Sequence, residues 1–150
     1  MNTKSVSSVL PILLPYAFGY FLSYFLRNVN AVIAPDLANE IGLSATDLGL
    51  LTSTYLIGFA IAQLPLGAAL DKWGARRVES ALLLVAALGC LGFAMGQTLM
   101  QLALARGLIG IGVSACLMAA FKAFSQSFSP LKQASLNSSI MVAGGLGGLT

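Results

Sequence analysis

Histidine is absent from this 150-residue sequence, and only 9% of its positions are charged. A soluble domain carries roughly 25% charged residues, so a water-facing surface cannot be built from this chain. With no histidine, no buried pair of carboxylates, no metal-ligand spacing and no phosphate-binding glycine loop ahead of a helix, enzymatic chemistry has none of its usual groups. Neither a metal nor a cofactor is expected, and no residue is assigned a catalytic role. The two cysteines, Cys90 and Cys116, sit inside apolar stretches and read as small packing residues. The eight basic and five acidic residues give a net charge of +3, yet the basic ones are dispersed and form no patch interleaved with aromatics, which argues against a nucleic-acid surface.

What the sequence has in abundance is apolar length, since hydrophobic residues fill 57% of it. About 20 apolar residues cross a bilayer core, and helices or closed barrels alone can do so with every backbone group paired. The expected fold is therefore an all-α integral membrane bundle of about five transmembrane helices, with spans near 11–34, 49–70, 78–98, 101–121 and 134–150. The first stretch is too long for the h-region of a secretory signal and has no cleavage site, so it is retained as a span. Pro35 is expected to stop the first helix, Ser44-Ala45-Thr46-Asp47 to cap the second, and Ser125 to Ser135, containing Pro130, to separate the fourth from the fifth. Lys4, Lys72, Arg76, Arg77, Lys122 and Lys132 fall on one side and Asp36, Glu40 and Asp47 on the other. The positive-inside rule then predicts a cytoplasmic N-terminus. Small residues at helix-packing spacing, Gly92 with Gly96 and Gly144 with Gly148, suit close helix contact in lipid.

With all five carboxylates assigned to the connections, Arg27 and Arg106 are left as the ionisable residues inside spans. A mid-helix arginine costs about 2.5–3.5 kcal/mol on insertion scales and so faces protein or a wet cavity. Tyr20, Ser23, Tyr24, Arg27 and Asn30 recur at steps of three and four and form one polar stripe. In one reading the stripe lines a substrate cavity in which the Arg27 guanidinium holds an anion by paired hydrogen bonds. In the other, helix carbonyls or a distant acid satisfy it. Arg106 is open in the same way, between anion contact and interhelix donor, and Thr52, Tyr55 and Gln63 between ligand contact and helix-helix glue.

The connection from Gly67 to Arg77 is the most specific feature. Asp71 ends a helix against its dipole and needs a compensating charge, which Arg76, Arg77 or another helix's N-terminus could supply, and Gly74 can take the left-handed conformation of a tight turn. Gly67, Asp71, Lys72, Gly74, Arg76 and Arg77 are therefore candidates for a conformational latch.

These residues resemble the major facilitator superfamily, whose signature between the second and third helices is commonly G-x-L-A-D-[RK]-x-G-[RK]-[RK]. Ala69, Leu70 and Ala75 depart from it, the last removing a basic position. Arg106, Gly110 and Gly112 are similar to the superfamily's fourth-helix motif. The resemblance implies two six-helix halves that alternate access around a central site, of which this chain would be the N-terminal part, inactive without the missing C-terminal half. Tyr24 to Asn30, with Pro35 downstream, resembles the first helix of the organophosphate:phosphate antiporters and anion:cation symporters, which implies anion binding by Arg27. Proton-coupled members often carry an acid just before that arginine; Leu26 stands there, and no other buried acid or histidine is expected to replace it. The expected function is thus transport of a small anionic solute across the cell membrane, with Arg27, Tyr24, Tyr20, Asn30 and Arg106 as substrate contacts. An efflux carrier of apolar compounds and a non-transporting scaffold or sensor are the alternatives.

Overall fold

The structure, a computed structural model, describes residues 9–149, so Lys4 lies outside it and Thr150, at the end of the fifth expected span, does too. Among the described residues the regular elements are six helices: α1 (Leu10–Glu40), α2 (Ala45–Trp73), α3 (Ala75–Met95), α4 (Leu99–Val113), α5 (Cys116–Ser127) and α6 (Pro130–Leu149).

The helix ends follow local chemistry. Ser44 accepts a hydrogen bond from the Asp47 backbone N–H at 3.2 Å while Asp47 accepts one from the Ser44 backbone N–H at 2.9 Å, a reciprocal cap at the start of α2. Thr98 caps α4 through its side chain. Pro35 does not end α1, which runs five residues further to Glu40, carrying Pro15 as well. A proline costs one intrahelical hydrogen bond and bends a helix, and the neighbouring turns hold the remainder. The connections are shorter than expected. Gly74 alone separates α2 from α3, and Phe128 and Ser129 alone separate α5 from α6. Gly74 has φ +80° and ψ 157°, so its φ is positive as a tight turn requires, but its ψ is extended rather than left-handed helical. The fourth apolar stretch is broken at Ser114-Ala115, where α4 passes into α5.

Among the described residues, three segments are long and apolar enough to cross a membrane by length and composition: Ala45–Trp73, Ala75–Met95 and Leu99–Ser127. The polar stripe dilutes α1, and serine and glycine dilute α6. The outer surface is apolar, with Leu64, Leu84, Leu88, Leu91 and Leu104 between 61% and 85% exposed. A surface of that kind suits lipid, not water.

The helices pack through glycine. α4 lies against α2 and α3, and α1 lies against α6. On α4, Gly110 meets the Tyr55 carbonyl and Gly112 meets the backbone of Ala86. On α6, Gly144 rests on the Tyr20 ring and Gly147 on the Phe21 carbonyl. Without water to drive helices together, such backbone approach supplies the van der Waals contact that does. The core is filled by Tyr55, Ile109, Val113, Cys116, Phe124 and Ile140, all nearly inaccessible.

One sequence expectation fails in the interior. Glu79 does not belong to a connection: it is the fifth residue of α3 and 6% exposed. Because α2 runs into α3 through a single residue, the third helix begins before the charged positions end. A carboxylate is therefore carried into the bundle.

Candidate functional site

The stripe on α1 faces inward, with Tyr20, Ser23 and Asn30 buried, while Arg27 is exposed to the space between helices. Two cavities meet there. One, of about 410 Å³, is bounded by Arg27, Asn30, Leu48, Thr52, Tyr55 and Arg106. The other, of about 380 Å³, is bounded by Tyr20, Tyr24, Arg27, Phe59, Gln63 and Met118. Arg27 and Tyr55 line both.

The polar groups around the first cavity are partly used and partly spare. The Asn30 amide donates to Thr52 Oγ1 at 3.0 Å, and its Oδ1 has no partner. Arg106, 1% exposed, donates from Nη1 to the Leu26 carbonyl at 2.9 Å and stacks over Phe93 at 5.0 Å, which makes it the interhelix donor of one reading. Its Nε and Nη2 nevertheless lack partners. Most buried polar atoms in native proteins are paired, so orphan donors and an orphan acceptor in one pocket are unusual. Among the described residues no hydrogen bond or ion pair ties down Arg27. Among the described residues no carboxylate lines either cavity, so the side-chain charge there is positive.

Around the second cavity the tyrosines brace each other. Tyr20 donates to the Tyr24 hydroxyl at 3.4 Å, and their rings meet edge-on at 5.1 Å. Tyr55 donates to the Ser23 carbonyl at 3.4 Å, and Gln63 to the Ser114 carbonyl at 3.1 Å, so both join helices. Thr52 and Tyr55, which the sequence left open between ligand contact and helix-helix glue, belong to the cavity wall, and both also bond across helices. Their three-residue spacing on α2 was the available signal.

The residues from Gly67 to Arg77 form a second group at the other end of the bundle. Asp71 is paired with Lys122 on α5, not with Arg76 or Arg77 and not with a helix terminus. The Lys72 ammonium sits 5.3 Å from the Trp73 ring. Arg76 and Arg77 line a cleft of about 740 Å³ together with Tyr16, Trp73, Glu79 and Gln126. Gly67 faces open space.

Residues 16–150, nearly the whole chain, match the family model for the Major Facilitator Superfamily. The chain belongs to that superfamily. Among similar superfamily proteins, the galacturonate transporter of Dickeya chrysanthemi is 31% identical over 79% of this chain and 34% of its own length. The hexuronate transporter of Bacillus subtilis (strain 168) is 28% identical over 93% of this chain and 34% of its own length. The nitrate/nitrite transporter NrtP of Picosynechococcus sp. is 36% identical over 63% and 18%. This superfamily chain thus spans about a third or less of the length of the curated relatives it matches. The relatives are transporters, a class of membrane-embedded proteins and not of enzymes.

Proposed function

We propose that the chain is the N-terminal part of a secondary active transporter that moves a small anionic solute across the cell membrane by alternating access, with its N-terminus in the cytoplasm. The observation that carries this reading is the convergence of Arg27 and Arg106 on one cavity that contains no carboxylate. Arg27 is the principal contact, because its planar fork is free to take a carboxylate or nitrate oxygen pair. Arg106 contributes its spare donors, and Asn30, Tyr24 and Tyr20 complete the wall. Similarity to proteins named for galacturonate, hexuronate and nitrate supports an anion as the solute. The Asp71–Lys122 pair, with Gly67, Lys72, Gly74, Arg76 and Arg77 around it, is the latch in this reading, and it opens as the halves of the carrier rock.

Uptake of labelled galacturonate and nitrate into vesicles bearing the carrier, challenged with unlabelled anions and with uncharged sugars, tests the reading. Competition by anions and none by uncharged analogues is expected; equal competition by both would end the case for an anion. A second reading, efflux of apolar compounds, is favoured by the apolar wall of the second cavity, where Phe59, Val113, Leu117 and Met118 lie. A putative multidrug resistance protein, MdtD of Salmonella newport (strain SL254), is 31% identical over 64% of this chain. Competition by lipophilic cations would select it.

A further inference from the structure

Glu79 has no place in the anion site, yet it is the most unusual side chain in the bundle. It lies in the second turn of α3, 6% exposed, and its Oε1 has no hydrogen-bond partner. The close neighbour from α1 is Gly19, where an added Cβ would stand 2.5 Å from Oε1, so the glycine leaves the space that the carboxyl occupies. Of the titratable groups on neighbouring helices, Tyr16 from α1 shares its cleft and Cys116 from α5 borders the same gap beside Gly19, and neither is a cation. Arg76 and Arg77 lie within a turn of it on its own helix and share the cleft, but neither pairs with it, and the carboxylate of Asp71 is taken up by Lys122. Trp73 from α2 and Gln126 from α5 complete the surroundings. A buried carboxylate without a cation or donors is expensive, and taking up a proton removes the cost. The cleft of about 740 Å³ gives that proton a route, because it runs from the arginine-bearing end of the bundle to Glu79.

We propose that Glu79 is a reversible proton-binding site, loaded and emptied through the cleft between α1, α3 and α5. One proton adds to a carboxylate oxygen and leaves the same way; no other bond forms or breaks. Its location on α3, away from Arg27, makes it independent of the anion reading, and either can fail without the other.

Infrared difference spectroscopy of the chain reconstituted in lipid vesicles reads the site directly through the C=O stretch of a protonated carboxyl group. The high-frequency component of a carboxyl without hydrogen bonds, distinct from the bands of the solvated acids, is expected to grow as pH is lowered, to be lost in Glu79→Gln, and to persist in Arg27→Ala. Glu79→Asp and Gly19→Ala, the latter pushing a methyl onto Oε1, are expected to keep the band and shift it. These two variants carry the test if the glutamine protein does not fold by circular dichroism. A band that survives unchanged in Glu79→Gln, or in both shifted variants, belongs to another acid and overturns the proposal. So does a Glu79 band that is constant at every pH, which would make the group a permanent structural donor, or the absence of any such band.

Discussion

Alanine at Arg27 and alanine at Arg106 are expected to fail in opposite ways. Arg27 is exposed to the cavities and, among the described residues, makes no hydrogen bond or ion pair, so its removal takes little packing from the fold. Surface substitutions of that kind stay within about 0.5 kcal/mol of the parent. The loss falls on the ligand instead: a hydrogen bond to a charged group is worth about 1.5–3 kcal/mol, and a paired set at the upper end corresponds to roughly a hundredfold in affinity. Arg27→Lys keeps the charge and loses the fork, so roughly a tenfold loss is expected. Arg106 is 1% exposed, stacked on Phe93 and bonded to the Leu26 carbonyl. Its truncation leaves a cavity between α1 and α4, with about 2–4 kcal/mol of stability lost as for other large buried side chains. Thermal unfolding in detergent by circular dichroism, beside anion affinity by competition of uptake, separates the two. Full affinity in Arg27→Ala, or an Arg106→Ala protein as stable as the parent, would refute the reasoning.

At Gly110 an added methyl would strike the Tyr55 carbonyl, whereas at Gly67 it would meet nothing. Gly110→Ala is therefore expected to cost about 1–3 kcal/mol and Gly67→Ala to be neutral or stabilising by up to about 1 kcal/mol, read from thermal melts. Ser44→Ala removes the cap of α2 and is expected to cost about 1 kcal/mol in the same assay. Asp71, 75% exposed, and Lys122 make a pair open to solvent, so a double-mutant cycle with Asp71→Asn and Lys122→Gln is expected to give a coupling of at most about 1 kcal/mol. Asp71→Asn should then slow transport with little change in affinity; the latch role is lost if affinity alone changes.

Much of the architecture is written in composition, because apolar length and sparse charge admit few solvents. The stripe from Tyr20 to Asn30 was legible because helical spacing converts directly into a shared face. The cap at Ser44 was legible for a local reason, since its partner Asp47 is three residues away. What escaped depends on contacts between distant segments. Nothing in the sequence near Asp71 points to Lys122, and nothing near Arg106 points to the Leu26 carbonyl. Glu79 was grouped with the carboxylates of the connections although the expected third span, 78–98, already contained it; the turn made of Gly74 alone puts it in α3. Pro35 misled because a proline weakens a helix without always ending it.

The glycine contacts tie α4 to α2 and α3, and separately tie α1 to α6. The two guanidiniums consequently ride on different rafts, Arg27 with the first helix and Arg106 with the fourth. Any slippage of one raft along the other retunes the spacing between the positive charges while each seam stays zipped. The bonds from Arg106 to the Leu26 carbonyl, from Tyr55 to the Ser23 carbonyl and from Asn30 to Thr52 are the rivets such slippage must shear.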